Sequence, residues 1–281
     1  MTEKIRAQSW QTCDSDIKNF VLSLVKGIRE ELGSKLVGVY LLGSLATGSY
    51  YRPKSDIDFI VVVESKLSPD TRSFLAEHIA TISETRPTVG NVELTVVTQS
   101  AVKNLVHPCP FEVHYSSEWH EQIMRGEMDY AKERTDVDLA AQVLWVLQRG
   151  VVLHGPAIEF VFGDVPWEIF WEAVRNDTQW ILDSEHILET PFYAVLNVCR
   201  VIRTLTEQTH TLYNKVEGAE WGVIHLPSEF KPIVSQALAV YRSNQAIASD
   251  QRRTGGMKWD REELLAFRDY AREALTSLSN N

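Results

Sequence analysis

The sequence predicts an α+β fold, with an N-terminal domain of strands and helices followed by an all-α helical bundle. Short apolar runs alternate with amphipathic segments over the first hundred residues, which favours strands that pack against helices. Farther along the chain, apolar residues recur mainly at helical spacing. The segment LHGP at 153–156 interrupts both patterns, so we place the two domains at 1–157 and 158–281.

The individual elements follow from residue spacing and from helix-start signals. Residues 14–32 predict an amphipathic helix, since Ile17, Val21 and Leu24 fall on one face. The runs KLVGVYLL, DIDFIVVVE and NVELTVVT predict three strands, and a helix at 68–84 opens with Ser-Pro-Asp. Further helices are predicted at 133–149, 166–188, 192–208, 229–241 and 260–278.

Composition limits the class of protein. The chain has 281 residues and a formal net charge of −10, which argues against a nucleic-acid binder and suits a small cationic substrate. Three separated cysteines form no CxxC pair, so no disulfide framework is expected. No apolar run approaches the roughly 20 residues that span a bilayer, and the N-terminus lacks a signal-peptide core. We expect a cytoplasmic protein that acts as a monomer, without a membrane or nucleic-acid partner.

Two aspartates open the second predicted strand. Asp56 and Asp58 alternate along it, so their side chains share one face and lie about 7 Å apart. Neighbouring carboxylates repel each other unless a cation lies between them, and such hard ligands suit Mg²⁺ together with substrate phosphates. Glu93 in the third strand joins the cluster if the two strands are neighbours. This set predicts a site for metal-assisted phosphoryl transfer.

A Gly-Ser turn ends the first predicted strand, twelve residues before Asp56. Gly43 leaves room for a phosphate to approach the backbone, and Ser44 offers a hydroxyl and an amide N–H. A helix that starts at Leu45 would direct its N-terminus at the same anion. The turn therefore predicts a phosphate contact beside the carboxylates.

These motifs resemble the nucleotidyltransferase superfamily, and most closely its aminoglycoside (3'')(9) adenylyltransferases, which modify streptomycin and spectinomycin. The segment VYLLGSLATGSYYRPKSDIDFIVVV is similar to the family core, VELTVV to the strand of the catalytic glutamate, and PFEVHYSSEWHEQI to a segment whose tryptophan contacts the antibiotic. The resemblance covers residues 36–98, 105–125 and 190–242. It implies a small mixed sheet with flanking helices, and ATP and Mg²⁺ bound in a cleft between the two domains.

The resemblance also implies roles for individual residues. Asp56 and Asp58 would bind magnesium, and Glu93 would be the general base, a metal ligand or both. The residues that would contact the nucleotide are Gly43, Ser44, Ser55, Arg200, Lys215 and Tyr241. Trp119 would contact the acceptor. Asp183 and Glu185 are acceptor candidates on charge, because they end an acidic stretch that would attract a cation if it lined the cleft.

Each assignment has a structural alternative. The aspartates and serines could be ordinary turn residues, and Glu93 could be an exposed strand residue. Arg200 could form a structural ion pair, Lys215 could lie on the surface, and Tyr241 and Trp119 could belong to the core. The acidic stretch could be a solvated helix face. One segment departs from the family. Residues 189–193 read ETPFY where the family drug site has acidic and histidine residues, so a drug-facing carboxylate would have to come from Glu185 or Glu189.

We therefore expect Mg-dependent transfer of AMP from ATP to a hydroxyl of a streptomycin- or spectinomycin-type antibiotic, which would confer resistance. The first alternative is the same chemistry on another small hydroxylated metabolite or on a protein, which the ETPFY segment favours. The second is a non-catalytic nucleotide-binding or antitoxin-like module, which the three retained carboxylates disfavour.

Overall fold

The computed structural model describes residues 6–243 and 251–279. The chain divides into two compact units. The N-terminal unit spans Gln8–Ala173, and the helical unit starts at Val174 and includes residues 6–7. No helix among the described residues is long and apolar enough to cross a membrane. The domain limits predicted from the sequence, at residue 157, remain a prediction.

Five strands of the N-terminal unit form one mixed sheet, which confirms the predicted fold class. The described part of this unit has seven strands in all, namely β1 (Leu36–Leu42), β2 (Ile57–Val63), β3 (Val92–Thr98), β4 (Cys109–Phe111), β5 (Val113–Tyr115), β6 (Arg134–Asp136) and β7 (Val151–His154). The sheet has the order β5-β3-β2-β1-β7, in which β2 and β3 are parallel and the other pairs antiparallel. Strands β4 and β6 form a separate antiparallel ribbon.

Helices cover both faces of this sheet. They are α1 (Ser15–Leu32), α2 (Gly43–Thr47), α3 (Pro69–Ser83), α4 (Gln99–Lys103), α5 (His120–Met124), α6 (Leu139–Arg149) and α7 (Ile158–Val161). Helices α1 and α3 share a buried apolar cluster with one face, which carries Phe59 and Val61 of β2. Helix α6 shares a second cluster with the opposite face, which carries Ile60 and Val62. Because the sheet is buried on both sides, its strands are almost continuously apolar, as the sequence shows.

The helical unit is a bundle, as predicted. Helix α8 (Trp167–Leu182) begins in the N-terminal unit, and the later helices are α9 (His186–Glu189), α10 (Pro191–Glu207), α11 (Lys215–His225), α12 (Lys231–Tyr241) and α13 (Arg261–Ser279). Helix α10 packs against α11, α12 and α13. Its sequence is largely apolar because neighbours surround it.

Two predicted helices are wrong in extent. Residues 133–149 do not form one helix, because 134–136 pair with β4 as a strand and the helix starts only at Leu139. Residues 166–188 are interrupted at Ser184, whose φ is +44°. There the Asp183 carboxylate accepts the Ser184 backbone N–H at 2.8 Å, a local bond that competes with the helix. The three cysteines are free, as expected, with Cys109 and Cys199 buried.

Candidate active site

The candidate site lies at one end of the three central strands. Asp58 of β2 pairs in register with Leu42, the last residue of β1, and with Glu93 near the start of β3. Residues paired in this way lie about 5 Å apart and point to the same face of the sheet. Asp58 is partly buried, whereas the Glu93 side chain is exposed. The second and third strands are therefore neighbours, which is the condition under which Glu93 joins the cluster, and a buried sheet ends in two neighbouring carboxylates.

Gly43 brings the backbone after β1 against the Asp58 carboxylate. Its φ is +70°, in the left-handed region that glycine adopts without penalty. A Cβ atom at this position would lie 1.8 Å from Oδ2 of Asp58. The Thr47 hydroxyl donates to the Gly43 carbonyl at 3.0 Å and closes the short helix α2 over the turn. A side chain at residue 43 would therefore displace Asp58.

The two candidate serines occupy different environments. The hydroxyl of Ser44 is buried, and within the described residues it has no hydrogen-bond partner. An unpartnered buried hydroxyl costs about 1–3 kcal/mol, which favours a position kept for a ligand. The hydroxyl of Ser55, also buried, accepts the backbone N–H of Tyr51 at 3.0 Å, as a turn residue does. The phosphate contacts of both serines remain predictions.

Asp56 comes directly before β2 and is held by the start of β3. Its Oδ1 accepts the backbone N–H of Asn91 at 2.5 Å. Two neighbours in the preceding loop were not predicted from the sequence. Burial raises the pKa of Tyr50 to about 12, and the charges of Asp56 and Asp58 act in the same direction. Burial also lowers the pKa of Lys54 to about 8. Nothing in the spacing of Tyr50 or Lys54 signals that they are buried.

The residues at this end of the sheet fit magnesium in the chemistry of their donors. Asp56, Asp58 and Glu93 supply carboxylate oxygens, the hard ligands that Mg²⁺ prefers, and the Ser44 hydroxyl is available beside them. Among the residues that the structure describes, no three His, Cys, Asp or Glu side chains are already grouped as a metal site. The metal-binding role of the three carboxylates therefore remains a prediction.

Trp119 lies beside the edge strand of the sheet in an aromatic cluster with Phe111 and His114. The His114 Nδ1 atom is 3.0 Å from Oγ1 of Thr95, its register partner on β3. The ring centroids of His114 and Trp119 are 5.1 Å apart in an edge-on contact. Burial lowers the pKa of His114, which keeps the imidazole neutral at pH 7. Trp119 is partly exposed, and its contact with the acceptor remains a prediction.

In the helical unit, Arg200 and Lys215 belong to one cluster. Arg200 lies on α10, and Lys215 is the first residue of α11. A Cβ atom at Gly218 would lie 2.5 Å from the Cα atom of Arg200, so the two helices cross in close contact. The Lys215 ammonium lies 4.4 Å from the ring centroid of Tyr193.

Asp177 on α8 completes this cluster. Burial raises the pKa of its carboxyl group, while the charges of Arg200 and Lys215 and a hydrogen bond from Tyr193 oppose the rise. Two cations and one carboxylate suit an anionic ligand, and the phosphate contacts of Arg200 and Lys215 remain predictions. The sequence placed Asp177 in a run of acidic residues and gave no sign that it differs from its neighbours.

The remaining candidates have visible structural roles. Tyr241 is buried in the helical unit. Asp183 is exposed and its carboxylate accepts the Ser184 amide, and Glu185 is exposed and forms an ion pair with Arg261. The nucleotide contact of Tyr241 and the acceptor contacts of Asp183 and Glu185 remain predictions.

Two family models match the chain. Residues 22–105 match a nucleotidyltransferase domain, and residues 160–273 match the C-terminal domain of aminoglycoside adenylyltransferases. The first match contains the carboxylates of the sheet, and the second contains the cluster around Arg200. The second match also extends well beyond residue 242, where the resemblance in the sequence could no longer be traced.

Similar proteins agree with these matches. A spectinomycin 9-adenylyltransferase of Staphylococcus aureus is 30% identical over 232 residues, which cover 80% of this chain and 85% of the relative. An aminoglycoside (3'') (9) adenylyltransferase of Klebsiella pneumoniae is 28% identical over 235 residues, 78% of this chain and 84% of the relative. The same fold is found in the crystal structure of a spectinomycin adenyltransferase from Enterococcus faecialis with ATP and spectinomycin. The TM-score is 0.75 at 21% identity, and the match covers 92% of this chain and 99% of that one. The chain therefore belongs to the aminoglycoside and spectinomycin adenylyltransferase family and is a nucleotidyltransferase.

Proposed function

We propose that the protein transfers AMP from ATP to a hydroxyl of an aminoglycoside or aminocyclitol of the streptomycin/spectinomycin type, and that this modification confers resistance. The observation that carries the proposal is the placement of Asp58 between Gly43 and Glu93 at the end of the central strands. The antibiotics in the names of the relatives support the class of acceptor.

In the proposed reaction, the acceptor oxygen attacks the α-phosphorus of ATP. Its proton passes to Glu93, the bond from the α-phosphorus to the bridging oxygen breaks, and pyrophosphate leaves. The exposed side chain of Glu93 suits a base that must reach a bulky acceptor. Gly43 and the buried Ser44 hydroxyl would fix the phosphates, so positioning supplies much of the rate.

Asp56 and Asp58 are the proposed magnesium ligands. The chemistry that Mg²⁺ supplies when bound is to neutralise phosphate charge and to stabilise the pentavalent transition state. The backbone hydrogen bond from Asn91 orients Asp56 before substrate arrives, and the Gly43 backbone lies close against the Asp58 carboxylate. Preorganisation of this kind lowers the reorganisation cost of the reaction.

The test is pyrophosphate release from ATP and Mg²⁺ with a panel of streptomycin, spectinomycin and other aminoglycosides. Asp58→Asn should reduce kcat by at least about 100-fold, because the variant keeps the shape of the side chain and removes its charge. Glu64→Gln is a matched control, since Glu64 is an exposed carboxylate just beyond the opposite end of β2.

Acceptor-dependent release that is lost in Asp58→Asn and kept in Glu64→Gln would establish antibiotic adenylylation. ATP binding without release on any member of the panel would mean another acceptor or a non-catalytic module. Equal losses in both variants would contradict the assignment of Asp58.

A further inference from the structure

The guanidinium group of Arg134 lies over the indole ring of Trp119. The guanidinium carbon of Arg134 lies 5.2 Å from the centroid of the indole, within the range of a cation–π contact. Such a contact is stronger where water is excluded than at an exposed site. Arg134 and Trp119 are both partly exposed, so the pair is accessible to a ligand.

The backbone fixes Arg134 at this position. Strands β4 and β6 pair in register so that Arg134 lies directly opposite Phe111. Phe111 in turn lies 6.3 Å from Trp119, ring centroid to centroid. Opposed residues in an antiparallel pair point to the same face, so the ribbon directs both side chains at the indole. Arg134 is therefore built into the aromatic cluster rather than resting on its surface.

The cluster is connected to the strand that carries Glu93. His114 touches Trp119 edge-on and is within hydrogen-bond distance of Thr95, two residues beyond Glu93 on β3 and therefore on the same face. His114 thus shares one face of the sheet with the proposed general base, while Trp119 lies beside it at the sheet edge and packs against the apolar cluster of the opposite face. An acceptor that places a hydroxyl at Glu93 would reach Trp119 around the sheet edge, where the indole is partly exposed.

We propose that Arg134 selects the acceptor by charge, so that the part of the acceptor which reaches Trp119 is an uncharged, hydroxylated ring rather than a guanidino or ammonium group. This inference rests on the proposed function and names the substrate feature that the site favours. An aromatic face attracts a cation through its quadrupole, and a second cation on an already occupied face meets the repulsion of the first. Of the carboxylates in this region, Glu133 pairs with Lys66 and Asp136 accepts the Asp138 amide. The charges of Asp136 and Glu118 act on His114. Arg134 is the cation that lies over the indole itself.

The experiment measures acceptor affinity by calorimetry, without ATP, for the wild type and three variants. Arg134→Met removes the charge and keeps the length, Arg134→Lys keeps the charge, and Lys132→Met removes an exposed cation two residues before Arg134. The probes are myo-inositol as a neutral ring, spectinomycin, and streptomycin with its two guanidino groups. Pyrophosphate release is measured in parallel with the two antibiotics.

Arg134→Met should tighten streptomycin binding about five- to tenfold, spectinomycin less, and myo-inositol not at all, and 0.5 M NaCl should shrink these differences. Arg134→Lys and Lys132→Met should follow the wild type. An equal change for all three probes would indicate that Arg134 has a purely structural role and would overturn the inference. Weaker streptomycin binding in Arg134→Met would also overturn it. So would the failure of both antibiotics to bind either the wild type or Arg134→Met. Because affinity is read without turnover, antibiotic binding with the expected ranking but no pyrophosphate release would contradict the proposed function alone.

Discussion

Replacing Gly43 by alanine tests the link between the turn after β1 and Asp58, the carboxylate proposed to bind magnesium. The new Cβ atom would lie 1.8 Å from Oδ2 of Asp58, far inside van der Waals contact, so the carboxylate must move. Gly48, at the other end of α2, offers a matched control. It has nearly the same backbone conformation, with φ of +74° against +70°, but the nearest atom to its added Cβ is 3.7 Å away, on Ser9.

Both variants should lose stability through backbone strain, but only one of them should displace Asp58. An alanine in the left-handed region costs about 1–2 kcal/mol, so both Gly43→Ala and Gly48→Ala should lose about that much free energy of unfolding. Only Gly43→Ala also displaces Asp58, by more than 1 Å on the distances above. A misplacement of that size costs about 100-fold in rate. We therefore expect kcat to fall about 100-fold or more in Gly43→Ala and less than about threefold in Gly48→Ala.

Urea denaturation gives the free energies of unfolding, and pyrophosphate release at saturating ATP gives kcat for an acceptor that the wild type uses. If Gly43→Ala keeps more than a third of the wild-type kcat, the contact between the turn and Asp58 does not matter for the reaction. If both variants lose activity to the same extent, backbone strain alone accounts for the effect.

Three further substitutions probe buried groups. Ser44→Ala removes an unpartnered buried hydroxyl, so the free energy of unfolding should be unchanged or higher by up to about 1 kcal/mol, as measured by urea denaturation. The KM for ATP, measured from initial rates, should rise about tenfold. Lys54→Met should raise the free energy of unfolding at pH 7 by about 1–3 kcal/mol, because burial lowers the pKa of Lys54 to about 8. This gain should shrink as the pH rises above 8, where the lysine is already neutral in the folded protein, and a constant gain up to pH 11 would contradict it. Asp177→Asn should raise the melting temperature at pH 7, because burial raises the pKa of this carboxyl and so disfavours its charged form. The advantage should vanish below about pH 4, where Asp177 is protonated in both states, and thermal melts across pH would detect its absence.

The elements that the sequence predicted well are those whose pattern is local. Helix 14–32 and the first three strands agree with the structure to within about two residues, because each has an apolar face or run that must be buried. Asp58 and Glu93 could be singled out because each is an acidic residue near the start of an apolar run, whereas their pairing in register is seen only in the structure.

The elements that were missed depend on distant partners. Residues 134–136 read as the start of a helix, yet they pair with 109–111, and no local pattern encodes that ribbon. Strands β5 and β7 were not predicted, since they are short edge strands that gain their stability from β3 and β1. Arg134 and Asp177 could not be identified as parts of clusters because their partners lie far away in the sequence.

The separation of the β4–β6 ribbon from the five-stranded sheet has an evolutionary consequence. The groups proposed for phosphoryl transfer are held by the central strands, where almost any substitution would cost stability. Arg134 projects from a three-residue strand that belongs to another sheet and is partly exposed. Substitutions there can accumulate without weakening the core. If Arg134 selects the acceptor as we propose, this division would let substitutions in the ribbon change acceptor choice while the central strands keep the groups proposed for transfer.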